Sequence, residues 1–209
     1  MEQDIEAYVT LKEASPQTLL VEKKSKFYGY AFPIHSEDQV KSLVDELKEK
    51  HPDANHFCYA WQLGVDEIRY RVNDGGEPTN SAGMPIYGQI RSHKITNVLI
   101  VVVRIFGGTK LGVGGLIRSY RNVANTTLDA SILVKKQLEV WLLLVFTYPS
   151  LSKVMRTIKQ QQLNIISQKM EAQCKILIAV HKKKNLAVQK LFEAMPDVQV
   201  KILPQKSNF

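Results

Sequence analysis

The chain has 209 residues, 44% hydrophobic and 23% charged, with 28 Lys plus Arg against 20 Asp plus Glu for a formal net charge of +8. No apolar run reaches the ~20 residues that cross a bilayer, which excludes a membrane-spanning helix, and the length allows one large domain or two small ones. Two cysteines far apart, Cys58 and Cys174, exclude a disulfide framework and a zinc site and point to buried thiols in a reducing cytoplasm.

The N-terminal MEQDIEAYVT is acidic and lacks the basic and apolar regions of a signal peptide. Residues 18–22 and 26–34 are rich in aromatic and β-branched residues and read as strands. Ser36 is placed to cap a helix over 36–50, with Glu37 and Asp38 in its first turn and Val40, Leu43, Val44 and Leu47 as its apolar stripe. His51-Pro52 ends it. Strands follow at 56–63 and 68–72, then a loop by composition at 73–85 (NDGGEPTNSAGMP) and a short helix at 85–92. Residues 96–105 form a nearly continuous apolar strand, as in the middle of a sheet covered on at least one face.

Next comes RIFGGTKLGVGGLIRSYRNV, residues 104–123, which crowds Gly107, Gly108, Gly112, Gly114 and Gly115 into nine positions before a helix over 115–130. A strand, a glycine-rich loop and a helix N-terminus are the parts of an anion cradle, because amides at a helix start are unsatisfied and the helix dipole favours negative charge there. Arg104, Lys110 and Arg118 add positive charge. The loop is not a P-loop, since no Lys-Ser or Lys-Thr follows a glycine. It is not a dinucleotide fingerprint, since Ile117 stands where the third glycine is required. Purely conformational glycines, at turns or close helix–sheet contacts, are the alternative reading.

After 130 the pattern changes. A strand at 137–147, a helix at 149–162, strands at 163–172 and 174–180, a helix at 182–195 and a strand at 198–203 make β-α-β-β-α-β, the ferredoxin-like order. The domains are therefore expected at 1–134 and 135–209. Charge divides at the same place. Residues 136–209 hold 12 basic and 4 acidic residues, whereas residues 1–135 hold 16 of each. Basic surface attracts nucleic acid by neutralising phosphates. A solvated lysine-rich surface is the plainer alternative.

Asp74 and Glu77 stand in the 73–85 loop, and His56 is the one histidine in a strand context near these elements. The two carboxylates could act as acid and base or hold a hard cation. Equally, Asp74 could bond local backbone while Glu77 pairs with an arginine. No serine or cysteine nucleophile is signalled, and the other histidines show no metal spacing, so neither catalytic residues nor a metal site nor a cofactor is assigned.

Ser25-Lys26-Phe27, Pro52-Asp53-Ala54-Asn55-His56, Asp74-Gly75-Gly76-Glu77-Pro78, Ala82-Gly83-Met84-Pro85, residues 103–112 (VRIFGGTKLG) and residues 114–120 (GGLIRSY) together resemble the IMPACT/YigZ family, over about residues 20–130. The rest resembles its bacterial two-domain members. The usual Asp-Asp-Gly-Glu-Pro reads Asp74-Gly75-Gly76-Glu77-Pro78 here, one carboxylate short, and the usual Gly-Thr before Ala-Gly reads Asn80-Ser81. The resemblance implies an α+β protein. Its N-terminal two-layer α/β domain would be similar to domain IV of elongation factor G and to GHMP kinases, and its C-terminal ferredoxin-like domain to domain V of elongation factor G. It also implies a cytoplasmic, translation-linked role.

The expected function is a non-enzymatic nucleic-acid- or ribosome-associated protein. Arg104, Gly107, Gly108, Lys110, Gly112, Gly114, Gly115 and Arg118 would hold phosphates, Tyr120 could stack on a base, and Lys175, Lys182, Lys183 and Lys184 would add contacts. His56, Asp74 and Glu77 would neighbour the cleft. The alternatives are a small phosphate-ligand protein or enzyme using the glycine loop, and a regulator that binds a protein partner.

Overall fold

The computed structural model describes residues 6–203; residues 1–5 and 204–209, the outer ends of both expected domains and the start of the acidic N-terminal stretch, lie outside them. Two compact units are present: Tyr8–Lys136, and the segment from Gln137 onward joined by Glu6 and Ala7. The Leu138 N–H donates to the Glu6 carbonyl at 2.8 Å and Lys183 Nζ lies 3.2 Å from the Glu6 carboxylate, which attaches this short N-terminal piece to the second unit.

The first unit is built on a five-stranded antiparallel sheet. Its elements are β1 (Ala7–Leu11), β2 (Thr18–Glu22), β3 (Ser25–Pro33), α1 (Asp38–Lys50), β4 (His56–Leu63), β5 (Arg69–Asn73), α2 (Gly83–Ser92), β6 (Val98–Ile105), α3 (Val113–Asp129) and β7 (Leu133–Gln137). The sheet order is β2-β3-β6-β4-β5. β6 is central, which explains its apolar run: Val98 to Val103 are all buried. Val98, Ile100 and Val102 pack with Ile86 and Ile90 of α2 and Leu116, Tyr120 and Val123 of α3. Leu99, Val101 and Val103 pack with Val40, Val44 and Leu47 of α1 on the other face. The alternation of a strand thus feeds two cores. Helices cover both faces, one layer more than the two-layer arrangement expected from the resemblance.

Local differences have physical causes. Helix α1 begins at Asp38 instead of residue 36, because Gln39 Oε1 accepts the His35 and Ser36 amides at 2.7 and 3.2 Å and replaces the cap assigned to Ser36. The strands β1 and β7 pair with each other to form a separate two-stranded sheet. Neither carries an alternation strong enough to be read locally, since the partner lies more than a hundred residues away.

The second unit contains β8 (Glu139–Thr147), α4 (Leu151–Gln160), β9 (Asn164–Lys169), β10 (Gln173–His181), α5 (Asn185–Glu193) and β11 (Val198–Leu203), with antiparallel order β11-β8-β10-β9. Leu142, Leu144, Phe146, Ile176 and Ile178 pack against Val154 and Ile158 of α4 and Val188 and Phe192 of α5. The helix expected from residue 182 starts as a 3-10 turn, Lys182–Lys184, with the α-helix beginning at Asn185. No helix among the described residues is long and apolar enough to cross a membrane.

Ile100 is fully buried at the centre of the first core. Ile100→Ala is expected to lower unfolding free energy by about 2–5 kcal/mol, measured by urea titration, from lost transfer energy and the residual cavity.

Candidate functional site

Arg104 lies near the C-terminal end of β6, opposite Phe27 on β3 and His56 on β4. Its guanidinium points into the unit. Nη1 donates to Glu77 Oε1 at 2.6 Å, and both side chains are about 95% buried, with 5% and 4% exposure. Nη2 donates to Ser25 Oγ at 3.3 Å, and Ser25 Oγ also accepts the Gly107 amide at 3.1 Å. The rings of Phe27 and Phe106 lie 5.3 and 5.4 Å from the guanidinium carbon, a cation–π arrangement on both sides. Arg104 Nε is buried with no hydrogen-bond partner among the described residues. Tyr120, also fully buried, donates its hydroxyl to Glu77 Oε1 at 2.8 Å.

These facts correct two assignments. Arg104 is no exposed phosphate contact, because its charge is already neutralised by Glu77 within the core. Tyr120 cannot stack on a base, because its ring packs edge-on against Phe27 at 5.2 Å. A Glu77–arginine pair is among the alternatives the sequence leaves open, whereas Ser25 as the link between Arg104 and the glycine loop is not. The only available signal was its place in the Ser25-Lys26-Phe27 motif.

Asp74 has a capping role. Its carboxylate accepts the amides of Asn80 at 2.8 Å, Ala82 at 3.0 Å and Gly83 at 2.8 Å. It therefore caps α2 from nine residues upstream, where Ala82 at the N-cap position has no side-chain acceptor. His56 Nδ1 lies 3.0 Å from the Gly75 carbonyl, an acceptor, so this nitrogen carries the proton. Cys58 Sγ lies 3.0 Å from the Asp74 carbonyl and 3.2 Å from Tyr120 Oη, two acceptors for its single proton. Burial pushes the Cys58 thiol up to about 12, reinforced by the Glu77 and Asp74 charges and opposed by the Tyr120 hydrogen bond. Burial also raises the Tyr120 hydroxyl far above its ordinary range, with Cys58 and Glu77 adding to it.

The glycine loop has two sides. Facing inward, Gly107 lies so close to the Lys23-Lys24 turn that a Cβ there would collide with the Lys24 carbonyl. Facing outward, Gly112 is the N-cap of α3 at φ 73°, a left-handed conformation that favours glycine. No side chain caps α3, and its first turn carries no acid. A Cβ on Gly108, Gly112 or Gly114 would meet nothing within 4 Å and the residues Gly112, Val113 and Gly114 are exposed, whereas a Cβ on Gly115 would crowd Leu111 at 3.1 Å. Lys110 in the loop and Arg118 in the second turn of α3 are exposed, and neither forms an ion pair among the described residues.

The lysines of the second unit are not gathered together. Lys175 is half-buried within β10, whereas Lys182, Lys183 and Lys184 form the 3-10 turn beyond its end, about 20 Å along the strand at ~3.3 Å per residue. Lys183 is engaged with Glu6.

The Impact N-terminal domain family model matches residues 23–128, which contain the Arg104–Glu77 pair, the Asp74 cap and the whole glycine loop. The chain belongs to the IMPACT family. It is similar to IMPACT family member YvyE of Bacillus subtilis (strain 168), 30% identical over 158 residues that span 76% of this chain and 72% of that protein. It is also similar to IMPACT family member YigZ of Escherichia coli (strain K12), 36% identical over 118 residues, 55% of this chain and 58% of that protein. A crystal structure described as that of a hypothetical protein superposes with a TM-score of 0.75 at 25% identity, covering 97% of this chain and 100% of that one.

Two outcomes are expected of this IMPACT-family chain. Glu77→Ala leaves the Arg104 charge buried and unpaired, and should cost about 3–5 kcal/mol in denaturant unfolding, far more than an exposed ion pair would. Cys58 and Tyr120 hold their protons more tightly when folded than unfolded. The stability they contribute is therefore complete below about pH 9, the ordinary thiol value, and is lost as pH rises toward 12. Urea midpoints measured from pH 7 to 11 should be level at first and then fall.

Proposed function

We propose that this protein is a non-enzymatic, nucleic-acid- or ribosome-associated member of the IMPACT family, linked to control of translation, and that the start of α3 with Lys110 and Arg118 holds backbone phosphates. The observation that carries this reading is the exposed α3 N-terminus without a side-chain cap, with exposed Lys110 just before it and exposed Arg118 in its second turn, neither in an ion pair among the described residues. Unsatisfied amides and a positive helix end favour an anion. Arg104 supports the site from below: through Ser25 it anchors Gly107 and so the start of the loop. The link to translation is the role that the family resemblance implies.

The β-α-β-β-α-β order and the β11-β8-β10-β9 sheet support reading the second unit as a ferredoxin-like domain similar to domain V of elongation factor G. Its exposed Lys184, with Lys182, Lys183 and Lys175, would add backbone contacts. In the first unit the half-buried Asp74 and the buried Glu77 carboxylate are engaged in structural hydrogen bonds, which favours a binding role over catalysis.

The test is binding of single-stranded RNA and of ribosomes across a salt series. Saturable binding with a steep log–log salt slope is expected. Lys110→Ala combined with Arg118→Ala should reduce the magnitude of the RNA slope by about 1.4, ~0.7 for each phosphate contact removed. Binding unchanged in that folded double variant would overturn the site. No RNA or ribosome binding at low salt would turn attention to a small phosphate ligand or a protein partner for the same loop.

A further inference from the structure

The sheet of the first unit carries a recess on the face opposite α2 and α3. It is a groove of about 480 Å³ between α1 and the strands β4 and β5. Its floor is made by Phe57, Tyr59 and Trp61, alternate residues of β4 that share one face. Trp61 is buried, while Phe57 and Tyr59 are half-buried. Successive side chains of this kind are spaced by roughly 6.6 Å, two residues of strand rise, so the three aromatic residues adjoin one another along the floor.

The walls are charged, and the charges do not cancel. Glu37 is engaged by Arg69 at 2.9 Å, and Asp45 by Lys48 at 2.7 Å. That leaves Lys41 on the helix wall and Arg71 on the strand wall as the cations facing the groove without a 4 Å ion pair among the described residues. Asn55, exposed at the edge, presents an amide donor and acceptor. An aromatic floor, a pair of cations and the Asn55 amide form the complement of a planar heterocycle carrying a negative group; the second amide of the lining, Asn73, is already bonded to Tyr59 Oη and the Gly75 N–H. The volume falls within the 300–1,000 Å³ typical of small-molecule sites and is far too small for a duplex.

We propose that this groove binds a single nucleotide, its base stacked on Tyr59 and Phe57 and its phosphate held by Arg71 and Lys41. The nucleotide could be a free nucleoside monophosphate or one unpaired residue of an RNA strand; the recognition chemistry is the same. The argument rests on α1, β4 and β5 and does not depend on the glycine loop.

The experiment titrates the full chain with AMP, GMP, CMP and UMP, and separately with a 5′-phosphorylated single-stranded RNA 12-mer, followed by calorimetry and tryptophan fluorescence. At least one ligand should bind saturably. Tyr59→Ala should weaken it roughly tenfold, as loss of one base–aromatic stack does, while Tyr59→Phe keeps the ring and the affinity. Arg71→Ala, at an exposed position that does not threaten folding, should weaken it comparably. Mononucleotide binding with these sensitivities identifies a free nucleotide. RNA binding with these sensitivities that mononucleotides cannot match identifies an unpaired residue. Mononucleotide binding that survives Lys110→Ala/Arg118→Ala but not Arg71→Ala supports the groove even if the loop reading fails. Binding lost in the loop variant and kept in Arg71→Ala overturns the groove, as does the absence of binding by every ligand.

Discussion

The first unit depends on one interaction, the buried ion pair between Arg104 and Glu77. Taking both charges out of water is costly unless each finds the other, with good geometry and further hydrogen bonds. At 2.6 Å, with Tyr120 also donating to Glu77 and Ser25 accepting from Arg104, the pair meets that condition everywhere except at Arg104 Nε, which stays buried without a partner among the described residues. The pair is then a constraint on everything attached to it. Glu77 cannot reach Arg104 unless the 73–82 loop folds over the end of the sheet, and that same fold brings the Asp74 carboxylate onto the first amides of α2.

The constraint extends to the glycine-rich loop through a single hydroxyl. Ser25 accepts from both Arg104 and the Gly107 amide, so the loop leaves β6 in a direction set by the buried pair. This divides labour among the basic residues. Arg104 is spent inside the unit as structure. Lys110 and Arg118, a few residues further on, remain in solvent beside an uncapped helix start. Residues close together in sequence thus carry opposite roles because one side chain points to the core and the others do not.

A central strand that is apolar on both faces makes this arrangement possible. Covered by α2 and α3 on one side and α1 on the other, β6 gives the sheet two working faces. One leads to the glycine loop. The other, only partly covered by α1, leaves the aromatic residues of β4 lining a groove with Arg71. The strand HFCYAWQL therefore contributes Cys58 and Ala60 to one core and Trp61 to the other, with Phe57 and Tyr59 packed against that second core and lining the groove.

Periodicity together with glycine, proline and capping signals marks most of the helices and strands, the glycine-rich turn into α3, and the β-α-β-β-α-β order of the second unit, because these depend on residues within a few positions of one another. The same short-range logic explains the near misses. It places a cap at Ser36, where Gln39 folds back, and a helix start at residue 182, where three lysines form a 3-10 turn. The pairing of β1 with β7, the partnership of Arg104 with Glu77 rather than with a ligand, the burial of Tyr120 and the capping reach of Asp74 were open in the sequence. Each is a contact between residues distant along the chain or a choice between core and solvent. Charge and side-chain type set what a residue is able to do. Which partner it meets, and whether water reaches it, is decided only when the sheet and its helices close around it.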